Sequence, residues 1–241
     1  MHRLTEFSLR RPWLTLAILL AITLGLGAGV PRVQQAYGFR VLIGSEHPAI
    51  QALDSLVEEF AGGYPARIAW ECGPGQPCQN VFDRASLEMA DALTQQLAAA
   101  NSVMNVLGPA NASILVPSED GFGVRRFVEY GEIADDAEAL AQRVLDDPLW
   151  VGDLVSEDAR VGVVVVQPVD SEPETDVLFT DTIDGLLERF RRQGFSYHVL
   201  GDAPEAVSGG RALSESTGAL IPVLVLVIGL LLYLLTRSWQ Q

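Results

Sequence analysis

Lysine is absent from this sequence. All 16 basic residues are arginine, they face 31 acidic residues, and the formal charge is −15. So acidic a chain offers no basic surface for phosphates, which excludes nucleic acid as a partner. Only two cysteines and three histidines are present. His47 and His198 stand isolated in sequence, and a zinc site needs more ligands than the two cysteines supply. The patterns that carry catalysis are missing too: no G-x-S-x-G, no Walker loop and no H-E-x-x-H. The acid pairs Glu58-Glu59, Asp135-Asp136 and Asp146-Asp147 are sequence neighbours, so on helices they face different ways and read as solvated. Gly121-Phe122-Gly123 reads as a turn. These absences predict a protein that is not an enzyme, with no catalytic, cofactor-binding or metal-binding residue.

Apolar residues are plentiful, 49% of the chain, and they concentrate in two uncharged blocks at 13–30 and 219–235. At about 1.5 Å per helical residue each block reaches roughly 26 Å, close to the hydrocarbon thickness of a bilayer. They predict transmembrane helices at 13–30 and 219–236. Trp13, Tyr233 and Trp239 fall where interfacial aromatics belong. The first block also resembles a signal peptide, with Arg3, Arg10 and Arg11 before it. After Val30, however, Pro31-Arg32-Val33 is a poor cleavage site, so an uncleaved helix is expected. Gly25 and Gly29 form a G-x-x-x-G there, a candidate helix-packing pair. No ionisable residue interrupts either block, so the chain has no proton relay of its own.

Charge orients this layout. Arg3, Arg10, Arg11 and Arg237 lie on the tails with Glu6 as the only acid, while the region between the blocks holds 12 arginines and 30 acids. The positive-inside rule then makes tails 1–12 and 237–241 cytoplasmic. It predicts a multi-pass protein of the bacterial inner membrane whose central region, 31–218, is periplasmic. Cys72 and Cys78 are separated by Gly-Pro-Gly-Gln-Pro, which can turn the chain back on itself. In an oxidising compartment they are a candidate disulfide stapling a loop; the alternative is two unrelated buried thiols.

The central region reads as α+β. Strands are expected at 37–44, 66–72, 102–107, 160–168 and 195–201. Helices are expected at 47–61, with a stripe of Ile50, Leu53, Val57 and Phe60, and at 81–100, with Leu87, Leu93 and Leu97 on one face. Two more are expected at 135–146 and at 176–193. In the last of these Val177, Phe179, Ile183, Leu186, Leu187 and Phe190 form the apolar face. Val163–Val166 suits a strand buried on both faces. Strand–helix–strand recurs at about 37–72 and 160–201, which predicts split βαβ, ferredoxin-like units between the two transmembrane helices. The stretch 110–132 is ambiguous.

Several segments carry a family resemblance. Arg10-Arg11-Pro12-Trp13 opens the first apolar block. Phe39-Arg40 through Pro48, then Gln51-Ala52-Leu53 and Phe60-Ala61-Gly62-Gly63, form a second segment. Val103–Val106 leads into Gly108-Pro109-Ala110-Asn111-Ala112. Asp147-Pro148-Leu149, Gly152, Leu154-Val155-Ser156, Val161–Val166, Leu200-Gly201 and Leu235-Thr236-Arg237-Ser238 follow in order. In this layout the chain resembles the start of exporters of the resistance–nodulation–division (RND) superfamily, in the MMPL-type and hopanoid-transport-associated branch. Where the family has V-x-x-V-x-S-L-x-N, this chain has Leu-Gly-Pro in place of Ser-Leu.

The resemblance implies a periplasmic porter-like domain handling hydrophobic or lipid-like substrates in a proton-driven exporter. Members have about twelve spans, and their proton relay lies beyond the segment matched here. The expectation is therefore a fragment, a split-gene product or a subunit that does not transport alone. Its partners would be the remaining transmembrane helices or subunits of an RND-type transporter, a hydrophobic or lipid substrate and the membrane, with a homo-oligomer left open. The alternative is a membrane-anchored periplasmic interaction or scaffold protein.

Overall fold

A computed structural model describes residues 12–27, 43–44, 46–60, 63–118 and 121–238. The chain divides into two units, Met1–Ala36 and Tyr37–Gln241. The first contains helix α1 (Pro12–Gly27). The second begins with α2 (Pro48–Phe60), whose Pro48 suits a first turn because no intrahelical N–H is needed there. Strand β1 (Ala66–Glu71), helix α3 (Arg84–Ala98) and strand β2 (Val103–Leu107) follow. Two ribbons come next, β3 (Ile114–Ser118) with β4 (Gly121–Arg125), and β5 (Val128–Glu129) with β6 (Glu132–Ile133). Helix α4 (Ala137–Leu145), strand β7 (Val161–Pro168), helix α5 (Pro173–Arg191), strand β8 (Tyr197–Leu200) and helix α6 (Asp202–Ser238) complete the chain.

The main sheet has the order β2-β7-β1-β8, and every neighbouring pair is antiparallel. Two strand–helix–strand units, β1–α3–β2 and β7–α5–β8, interleave so that each unit's strands are separated by a strand of the other. That is a split βαβ arrangement. The first unit runs over 66–107, not over 37–72 as the sequence suggests. The segment at 66–72 opens that unit and does not close it. Most of the strand expected at 37–44 lies outside the described residues.

One face of the sheet carries the core. Along β7 burial alternates strictly, with Gly162, Val164, Val166 and Pro168 inward. They meet Ile68 and Trp70 of β1 and Tyr197 of β8, all buried, and the inner faces of α3 and α5. From α3 come Leu87, Met89, Leu93 and Leu97; from α5 come Phe179, Ile183, Leu187 and Phe190. Each such side chain contributes about 1.5–3 kcal/mol of burial. Trp70 fills the centre, with its indole Nε1–H donating to Ser86 Oγ at 2.9 Å. Gly162 stands directly opposite Trp70 in the register. A Cβ there would lie 2.6 Å from Trp70 Cη2, so only glycine leaves room for the indole. Gly201, at φ +148, does the same for Ala66, whose Cα is 2.9 Å from where a Cβ would stand. Val177, expected on the apolar face of α5, is 44% exposed, and Thr180 is buried in that helix instead.

The two expected transmembrane helices require correction. Among the described residues, no helix is long and apolar enough to cross a membrane. Helix α1 has 16 residues, about 24 Å, against a hydrocarbon thickness of about 30 Å. Helix α6 has 37 residues, but Asp202, Glu205, Arg211 and Glu215 charge its first half and Arg237 lies near its end. The spans at 13–30 and 219–236 are therefore overturned. With them goes the reading of a multi-pass inner-membrane protein with cytoplasmic ends and a periplasmic middle. Among the described residues the α+β sheet-and-helix domain has no flanking span.

Candidate functional site

The most elaborated surface of the domain lies where β1 ends. Gly73-Pro74-Gly75 stops the strand, with Gly73 at φ +147 and Gly75 at φ +85, backbone that side chains resist. The chain reverses, and Cys78 returns to Cys72, to which it is disulfide-bonded with Cα atoms 4.9 Å apart. Gly73 N–H donates to Cys78 O at 2.8 Å inside the loop. Both cysteines are buried, and the bridge staples the loop. Beyond it, Asp83 folds back and accepts from Gln79 N and Asn80 N at 2.6 and 3.1 Å, which fixes the entry into α3.

A second turn, Ser156–Arg160, closes against this loop. Cys72 N–H donates to Arg160 O at 2.7 Å and Val81 N–H to Ala159 O at 2.8 Å. Ser156 holds the turn together. Its hydroxyl donates to Asp158 Oδ1 at 2.6 Å and accepts from Arg160 N and Val161 N at 3.1 and 2.9 Å. The Ser156 hydroxyl, the Arg160 N–H and the nearby Arg160 charge stabilise the Asp158 carboxylate and hold its pKa below the ordinary value. Between the two turns lies a cleft of about 360 Å³, lined by Glu71, Gly73, Gln76, Asp158, Arg160 and Val161 among others. Gln76 donates through Nε2 to Ser196 Oγ at 3.4 Å, and its Oε1 is buried with no donor among the described residues.

The polar groups around this cleft are largely engaged with one another. The Ser156 oxygen is saturated, with its proton committed to Asp158. The two sulfurs are bonded to each other. His198 Nε2 lies 3.8 Å from Glu71 Oε1, both largely exposed, with no nucleophile beside them among the described residues. Among the described residues no three His, Cys, Asp or Glu side chains gather in a metal-binding group. The cleft offers carboxylates, one guanidinium and an amide on a rigid frame, a surface for ionic and hydrogen-bonded contact.

Of the residues singled out from sequence, Cys72 and Cys78 line or adjoin this cleft. Gly25 lies in α1, where an added Cβ would meet nothing within 4 Å, and Gly29 lies outside the described residues. His47 is at the start of α2, its Nδ1 accepting from Ala49 N at 3.2 Å. Asp136 forms an ion pair with Arg125 at 2.7 Å. Asp147 Oδ1 accepts from Leu149 N at 2.9 Å, a local turn contact. Sequence reasoning missed Ser156, Asp158 and Arg160. The Ser-x-Asp spacing before an arginine is a turn signal that could have found them. Nothing local could have found the proximity of His198 to Glu71, because it depends on β8 pairing with β1.

The sheet presents a second surface. Its face away from α3 and α5 shows Ala69, Val163 and Val165 half-buried and Leu107 and Leu200 exposed, bordered by an Arg67–Asp153 ion pair at 3.2 Å. No family model matches the chain, and neither a curated protein nor a solved structure matches it.

Proposed function

We propose that this chain is a non-enzymatic porter-like module of an RND-type exporter of hydrophobic or lipid-like substrates. It works only when assembled with further segments of such a transporter. The carrying observation is the sheet: two helices cover one face, and the other is left partly apolar with paired charges at its border. A module that acted alone would gain by covering Val163, Val165, Leu107 and Leu200. A module that packs against further protein keeps them available. The saturated Ser156 and the closed disulfide support binding over catalysis. The proton-driven step belongs to the segments it joins.

The test is co-expression of the chain with the downstream segments of an RND-type exporter, followed by co-purification. Stable association, lost with Val165→Asp, is the expected result. Restoration of transport by the 241-residue chain alone would instead favour a second reading, a self-sufficient interaction or scaffold protein. The stapled, polar cleft at Asp158 and Arg160 is the observation that favours that reading.

A further inference from the structure

The main sheet, in the order β2-β7-β1-β8, has two edges, and the chain treats them differently. In an antiparallel sheet each residue turns its N–H and C=O to one neighbour, and the next residue turns them to the other. Cys72 N–H donates to Arg160 O at 2.7 Å, and these two positions continue the register that pairs Trp70 with Gly162 and Ile68 with Val164. Ala66, Ile68 and Trp70 therefore bond to β7, and Arg67 and Ala69 bond to β8. Their partners there are Leu200 and His198. Tyr197 and Val199 are left with their main-chain groups turned out of the sheet. Among the described residues nothing bonds to these N–H and C=O groups.

The opposite edge is closed. The pairing of β2 with β7 shifts register between Val103 and Asn105. Val106 N–H donates to Asn105 Oδ1 at 2.9 Å, and Val106 O accepts from Asn111 Nδ2 at 2.8 Å. An irregular, capped edge of this kind refuses a further strand. On β8 the register runs without a shift, and among the described residues no side chain reaches the outward groups of Tyr197 and Val199. Only the end of the strand is capped, where Gly201 N–H donates to Glu205 Oε1 at 3.5 Å.

We infer that the edge of β8 takes up an extended, basic segment of a partner protein as an additional strand. Only extended backbone presents donors and acceptors at the spacing of Tyr197 and Val199. Side chains directly opposite on neighbouring strands share a face, so the segment places an apolar residue beside Leu200, which is 56% exposed. Charge sets the rest. Arg67 on the neighbouring strand is paired with Asp153 at 3.2 Å, and Arg191, which acts on Tyr197, with Glu188 at 3.7 Å. Glu205 at the end of the edge is exposed and in no ion pair among the described residues. A second copy of this chain, at −15, is repelled, whereas a segment flanked by lysine or arginine is attracted.

Amide hydrogen exchange of the full chain tests whether the edge is open. Tyr197 and Val199 should exchange about tenfold or more faster than His198 and Leu200, whose N–H groups are held by β1. A short peptide of alternating valine and threonine with lysine at both ends is the probe for binding. It should shift the amide resonances of Tyr197 and Val199, slow their exchange and leave Val106 unmoved. The same peptide ended by glutamate should bind about tenfold more weakly. Val199→Pro removes an N–H that points away from β1, a change an edge strand tolerates, and it should abolish binding of the probe. Circular dichroism checks its fold, and if that is lost the exchange and shift measurements on the parent chain decide. The inference is overturned if Tyr197 and Val199 are as protected as His198 and Leu200 in the free chain, or if the probe leaves them unmoved or shifts Val106 instead. Equal binding by folded Val199→Pro, or by the glutamate-ended peptide, overturns it as well. So do concentration-dependent shifts at Tyr197 and Val199 without probe, which would give the edge to a second copy.

Discussion

Replacing Gly162 by alanine adds a single methyl group at the most crowded point of the core. Gly162 sits on β7 opposite Trp70, both facing the helices. The new Cβ would lie 2.6 Å from Trp70 Cε2 and Cη2, far inside van der Waals contact. The indole cannot yield easily. Trp70 is fully buried, and its Nε1–H is committed to Ser86, itself fully buried on α3. Overpacking of this kind costs about 1–3 kcal/mol. If the ring swings away from Ser86, roughly 0.5–1.5 kcal/mol of hydrogen bonding is lost as well. Alanine regains about 0.5–1 kcal/mol over glycine within a strand. The net expectation is a loss of about 2–3 kcal/mol. Urea unfolding followed by tryptophan fluorescence measures it as a lower midpoint with an unchanged slope. Gly185→Ala is the internal control. Gly185 is exposed on α5, nothing lies within 4 Å of its missing Cβ, and alanine there should stabilise by about 0.5–1 kcal/mol. Combining Gly162→Ala with Trp70→Phe should cost less than the sum of the two, because the smaller ring vacates the space. A Gly162→Ala protein within 0.5 kcal/mol of the parent would refute this account of the core.

Other measurements bear on other parts of the structure. Removing the staple with Cys72→Ser and Cys78→Ser together should cost about 2 kcal/mol, the loop being short, and should lower the melting temperature without changing the circular dichroism of the sheet. Tyr197 carries a buried hydroxyl with no hydrogen-bond partner among the described residues, so Tyr197→Phe should be neutral or slightly stabilising, read as an unchanged or higher urea midpoint. Burial also raises the Tyr197 pKa above its ordinary value of 10.0, because the phenolate would be desolvated. The folded state thus holds that proton more tightly than the unfolded chain. This contribution to stability is intact below pH 10 and declines above it, and Tyr197→Phe should flatten the alkaline limb of the stability profile. At the other end of the scale, Ser156→Ala should raise the Asp158 pKa towards the ordinary carboxylate value, visible in its side-chain carbon resonance during an acid titration.

Elements whose burial pattern is regular were legible from sequence. The run Val163–Val166 marks β7 by its β-branched side chains, although the strand buries one face fully where both were expected, and the helical spacing of Phe179, Ile183, Leu187 and Phe190 marks α5. Leu87, Leu93 and Leu97 likewise mark α3. Val177 obeys the same spacing yet is 44% exposed, and Thr180 is buried in its stead. The stretch 110–132 stayed ambiguous because its ribbon turns its apolar face to solvent, against the usual inside-out alternation. The apolar blocks suggested membrane spans by composition, but a span also requires helix length and apolarity to coincide, and in α1 and α6 they do not.

The candidate site divides along the same line. That Cys72 and Cys78 could close a loop is local geometry, set by six residues of separation and the glycines and prolines between them. That Arg160 O meets Cys72 N, that Ala159 O meets Val81 N, and that the cleft opens between these turns are long-range facts. What the sequence by itself determined is each segment's conformation and its apolar side, since propensity and period act over a few residues. Which strand lies beside which, in what register, and therefore that β7 separates β1 from β2, was decided only by the tertiary structure. Those pairings join residues 58 to 133 positions apart, and their energy is realised only once Trp70, Gly162 and the two covering helices are packed together.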